Sequence, residues 1–173
     1  DNTLCHGATG RRGSSSCALR IEMSVNETTI DTAFRMFPWI GGAAAIVLLI
    51  LLFGTRVLQS RPDASRWHDG VWLSWAAVTA YLLHNVEEYG IDLFGRRLGF
   101  PDGFCALLNQ PALPECPIPP LFFMAVNIPL FWVAAPIAAS LSRRHTLVGL
   151  ALYGVIIVNA CLHIVPFAAG GGY

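Results

Sequence analysis

One histidine and two glutamates crowd five consecutive positions, His84-Asn85-Val86-Glu87-Glu88, in an otherwise apolar stretch. At about 100° per helical residue these three side chains share one face within roughly one turn. A charged side chain at mid-membrane costs ~2.5–3.5 kcal/mol on insertion scales. Two adjacent carboxylates also repel, so one is expected to be neutral unless a cation lies between them. Imidazole and carboxylate together suit zinc, iron or manganese. The His-x-x-Glu spacing is the reverse of the Glu-x-x-His pairs of di-metal bundles. His84, Glu87 and Glu88 are therefore candidate metal ligands, and Glu87 and Glu88 candidate catalytic carboxylates.

A second half of such a site lies further along. Asn159 and His163 are four residues apart and share a helical face. The stretches carrying His84 and His163 run in the same direction, so their depths can be compared. At 1.5 Å per residue, His84 falls ~15 Å, Asn159 ~13 Å and His163 ~8 Å from the exit end, with Glu87 and Glu88 ~9–10 Å from it. On the antiparallel third stretch, Asn127 falls ~12 Å from the same surface, beside Pro129, which can free a carbonyl and kink the helix. This layer adds His163 to the metal ligands, with Asn127 and Asn159 as substrate-binding amides. The competing reading makes the asparagines plain interhelical hydrogen bonds and pairs Glu88 with a snorkelling Arg96. His68 and Asp69, at the opposite surface, read as a solvated helix start, with Asp near the positive end of the dipole.

The elements that position these groups follow from composition. The 173 residues are 54% hydrophobic and 13% charged, with a formal net charge of zero. That charge content is too low to cover a water-facing surface, and neutrality excludes a nucleic-acid partner, which needs a basic face. Four apolar blocks, Phe37–Leu58, Val71–Phe94, Pro119–Leu141 and Thr146–Ala168, each reach the ~20 residues that cross a bilayer. Continuous runs of this length are helices, since barrel strands are ~9–11 residues and alternate. The expectation is an all-α, multi-pass transmembrane bundle with four spans over residues 37–173, preceded by a polar, partly disordered tail over 1–36. Met23 is a candidate start, which would make Asp1–Glu22 an upstream or disordered segment.

Arginines weakly set orientation. Arg56, Arg61, Arg66, Arg143 and Arg144 mark the cytoplasmic side against Arg20, Arg35, Arg96 and Arg97 on the other. Cys105 and Cys116 share the long outer loop Gly95–Cys116, either as a disulfide or as free thiols. Cys161 reads as a small buried apolar residue.

The pentapeptide His84-Asn85-Val86-Glu87-Glu88 resembles the signature of the HXXEE-motif domain family, bacterial integral membrane proteins of unknown function. That family's further histidine is matched by His163 in Asn159-Ala160-Cys161-Leu162-His163. Its Tyr-x-Pro-Gly motif would begin at Tyr173, after Gly170-Gly171-Gly172. The resemblance implies a core from about Phe37 onward, a role for Tyr173 in substrate binding, a chain truncated before its last motif and residence in the bacterial cytoplasmic membrane. It brings no reaction.

Three functions compete. The leading expectation is a membrane metal-dependent hydrolase acting on a lipid or lipid-linked substrate. There His84, His163 and one glutamate hold zinc, iron or manganese, and the other glutamate acts as general base. The second is an ion- or proton-coupled transporter, although Ser74, Thr79 and Ser140 are all that the inner halves offer for a path. The third is an accessory subunit whose charged face pairs with another membrane protein.

Overall fold

The computed structural model describes the backbone of residues 11–168 and the side chains of residues 28–164. It is built of α1 (Arg11–Gly54), a 3-10 turn (Arg66–His68), α2 (Gly70–Tyr89), α3 (Gly99–Leu107), α4 (Pro120–Asn127), a π-helical segment (Ile128–Ala134), α5 (Ala135–Leu141) and α6 (Thr146–Ala168). Tyr173 and the first ten residues of the Asp1–Glu22 segment lie outside the described residues.

Among those residues, three helices are long and apolar enough to cross a membrane, not four: Thr28–Gly54, Pro120–Leu141 and Thr146–Ile164. The protein is an all-helical integral membrane protein with several spans, and the correction falls on Val71–Phe94. That helix stops at Tyr89, and its last turns spend four positions on His84, Asn85, Glu87 and Glu88. What it loses in hydropathy it recovers in packing, for it touches α1, α3, α5, α6 and the π segment. Ten of its 20 residues are buried, whereas 28%, 28% and 11% of the three spanning windows are. The spans turn most of their surface to lipid, and α2 turns its surface to protein.

α1 begins at Arg11, so the backbone of the polar stretch upstream of Phe37 is helical from there on. No proline interrupts it before Pro38, so a helix anchored by an apolar span propagates backward at little cost per residue.

Two packed layers flank the polar stripe of α2. In one, Ala45, Val78, Leu82, Ala135, Ala139 and Leu152 bring the helices close, small residues being what lets membrane helices approach. In the other, Phe34, Phe37, Tyr89, Phe123 and Met124 form an aromatic cluster. Gly41 and Gly42 admit α1 to this core: a Cβ on the first would sit 2.8 Å from the Trp132 ring, and on the second 2.9 Å from Val86.

The π segment begins beside Pro129 and ends just before Pro136. Each proline lacks a donor for the helical ladder, and the ladder widens between them. The widened turn presents Phe131 to Tyr81, with ring centroids 3.6 Å apart, and Trp132 to Asn85.

Asp69, expected to be a solvated residue, is buried with 0% of its surface exposed. Its Oδ1 caps α2 by accepting from the N–H groups of Val71 and Trp72, and its Oδ2 accepts from those of Ser60 and Arg61. One carboxylate thus ties the α1–α2 connection to the start of α2. At the same end of the bundle, Arg66 and Arg143 donate to carbonyls that follow α1.

The long loop contains α3, which opens with Pro101 and Asp102 in its first turn, both favourable near a helix N-terminus. Cys105 and Cys116 are joined by a disulfide. Cys161 is exposed rather than buried, because that side of α6 faces away from the bundle.

Candidate metal centre

Glu88 is at the centre of the site. Its Oε1 lies 3.1 Å from His84 Nε2 on the same helix and 2.9 Å from His163 Nε2 on α6. The i,i+4 spacing sets the first contact, and the packing of α2 against α6 supplies the second. The two imidazoles meet edge to face, with centroids 4.9 Å apart. The Glu88 side chain is 3% exposed, against 26% for His84 and 14% for His163. One carboxylate is thus taken out of solvent and faced by two imidazole nitrogens.

The donor set fits a divalent metal. His84, Glu88 and His163 each offer one ligand atom, all within 4.8 Å of one another. Ligands roughly 2.0–2.2 Å from a zinc ion need only small side-chain shifts from these positions. His84 Nε2 is buried and makes no hydrogen bond among the described residues, despite its nearness to Glu88. A buried ring nitrogen in that state is costly unless something else engages it, and a metal would.

The two glutamates of the motif occupy different places. Glu87 Oε2 lies 3.4 Å from His84 Nδ1, on the opposite edge of the ring from Glu88. A carboxylate on the outer nitrogen fixes a ligating imidazole in its tautomer and orientation. Arg96 goes not to Glu88 but to Asp92, at 2.7 Å.

Behind Glu88 lies a buried polar network. Asn85 Nδ2 donates to Glu88 Oε2 at 3.5 Å and to Asn127 Oδ1 at 3.0 Å, while Trp132 Nε1 donates to Asn85 Oδ1 at 3.0 Å. Asn127 Oδ1 also accepts from the Tyr81 hydroxyl at 2.8 Å, and its Nδ2 donates to Tyr89 Oη and the Phe123 carbonyl, both at 2.9 Å. All four hydrogen-bonding positions of the Asn127 amide are used, which makes it a hub of packing. Asn159, by contrast, lines a chamber of about 200 Å³ together with Glu88, His163 and a wall of aromatic rings.

Asn85, Tyr81, Tyr89 and Trp132 are site-supporting residues that sequence reasoning passed over. Asn85 carried a signal, since it lies inside the motif and falls beside the His84 face. The aromatic residues carried none, because each also suits a membrane helix.

On its other side the centre opens to a groove of about 530 Å³, where His84, Glu87 and His163 lie beside Leu83, Phe94 and Ile164. Leu83, Phe94 and Ile164 are exposed at 42%, 70% and 64%, so this mouth faces the lipid side of the bundle.

Fold and site together define a multi-span helical membrane protein with a buried His–Glu–His centre capable of holding a divalent metal. Residues 75–173 match the family described as protein of unknown function with HXXEE motif, and the chain belongs to that family. Neither a curated protein nor a solved structure matches it.

Proposed function

We propose that the protein is a membrane metal-dependent hydrolase acting on a lipid or lipid-linked substrate. The observation that carries this reading is a three-donor cluster, His84, Glu88 and His163, whose two histidines line a groove that opens to the lipid side. Two histidines and a glutamate, leaving one coordination position free, are a ligand set of catalytic zinc sites. A divalent metal held there would bring the pKa of bound water towards ~7.

The chain's own residues divide the remaining work. Glu88 and the two histidines bind the metal. Glu87 steadies His84 and, lining the groove, accepts the proton of the attacking water. Leu83, Phe94 and Ile164 receive an acyl or prenyl chain arriving laterally, and Asn159 orients the polar group from the chamber side. Zinc, iron and manganese all suit the donors. We place the protein in the bacterial cytoplasmic membrane, the setting its resemblance implies.

A continuous ion path is less well supported. The apolar layer of Ala45, Val78, Leu82, Ala135, Ala139 and Leu152 packs directly beyond the polar stripe.

The test is native extraction into nanodiscs, metal analysis, and turnover of a panel of ester and phosphoester lipids with and without chelator. The expected result is one transition-metal ion per chain and an activity that chelation abolishes and metal restores. A wild-type protein with no more metal than Glu88→Gln would sink the proposal.

A further inference from the structure

A separate cavity opens at the other flank of Tyr89, whose residue also lines the aromatic chamber beside Glu88. It measures about 430 Å³ and lies between α1, the end of α2 and the stretch leading into α4. Met36, Trp39 and Leu113 give it apolar walls, while Asp31, Arg35 and Arg97 line it with charge. The Asp31 carboxylate is engaged by Arg35, at 2.9 Å. Arg97 makes no ion pair among the described residues, its neighbour Arg96 having taken Asp92. Among the described residues, one guanidinium charge is therefore left without a carboxylate.

The position narrows the ligand. Asp31 and Arg35 lie on α1 just before its apolar run from Phe37, and Arg97, Leu113 and Pro114 come from the connection between α2 and α4, so the cavity sits where hydrocarbon meets headgroups. Met36 and Trp39 are 51% and 46% exposed, and tryptophan is at home at that boundary. A ligand in this cavity meets acyl chains along one wall and guanidinium groups along another. Phosphate oxygens match the forked donors of arginine.

We infer that this cavity binds one anionic phospholipid, its phosphate against Arg97 and Arg35 and its first methylenes along Met36 and Trp39. The cavity holds the headgroup and the start of the chains, which continue into the bilayer. The site shares no ligand atom with the His84, Glu88 and His163 centre, so it stands whether or not that centre binds metal.

The experiment uses the full chain in nanodiscs of phosphatidylcholine with a minor share of phosphatidylglycerol, released into native mass spectrometry. Wild type is expected to retain one phosphatidylglycerol in preference to phosphatidylcholine. A basic side chain near an anionic surface contributes on the order of 1 kcal/mol, so Arg97→Gln should lower that occupancy about fivefold. Arg97→Lys should keep most of it, since the charge remains. Arg144→Gln, at an exposed arginine in the α5–α6 turn, should leave it unchanged. Equal retention of both lipids, or an equal fall in Arg144→Gln, would overturn the inference. So would displacement of the lipid by millimolar inorganic phosphate, which would make the cavity an anion site without use for chains.

Discussion

Glu88 Oε1 and His163 Nε2 stand 2.9 Å apart, joining a motif on α2 to a histidine on α6 and closing the site. Because the same oxygen also faces His84, removing its charge should disable both halves at once. Glu88→Gln and His163→Ala are each expected to lower metal content to background in plasma mass spectrometry of nanodisc-held protein. Retention of a full metal complement by both variants would disprove the assigned ligand set.

Glu87 should behave differently, because it faces His84 from the outer nitrogen. Loss of such a supporting carboxylate weakens metal binding by about 10–100-fold, readable by competition with a chelator. At saturating metal, Glu87→Gln should still turn over lipid ~10²–10⁴-fold more slowly than wild type if it is the base. Unchanged turnover would remove that role while leaving the positioning one.

Asn127→Leu tests the network behind the centre. Tyr81 and Asn85 would each lose an acceptor and Tyr89 a donor, in surroundings that exclude water. At about 1–3 kcal/mol for each unsatisfied buried group, a fall in melting temperature of several degrees is expected. Asn159→Ala, on the chamber wall, should cost little stability by the same measurement.

Asp69 gives the fold an acid limb. Burial alone would raise its carboxyl, but the N–H groups of Arg61, Trp72 and Ser60 and the Ser60 hydroxyl hold it below its ordinary value. A folded pKa below the unfolded one contributes stability above the unfolded value, about 3.9, and loses it as pH falls through the folded value. Thermal unfolding should therefore show a decline below about pH 4 that is blunted in Asp69→Asn. At neutral pH, Asp69→Ala should cost at least the ~1 kcal/mol of a lost helix cap.

Much of the site is legible in the sequence. His84, Glu88 and His163 could be placed in one layer because helical rise converts residue counts into depth, even though α2 ends at Tyr89 and not at Phe94. The unequal duties of Glu87 and Glu88 were not legible. Adjacent residues on a helix point about 100° apart, and only the position of α6 decides which of them turns inward. Asn85 was hidden for the same reason: its value lies in Asn127 and Trp132, both distant in the chain.

By itself the sequence determined the helical class, the membrane setting and the identity of the donor groups. These depend on hydropathy, period and side-chain chemistry, which are local. The tertiary structure alone decided that α2 packs against most of the other helices, that Asp69 is buried, and that Trp132 reaches Asn85 from a π-helical turn. Each of these is a choice of partner. A polar helix can survive at membrane depth only if neighbouring helices satisfy its side chains, and the neighbours come from parts of the chain whose local sequence does not name them.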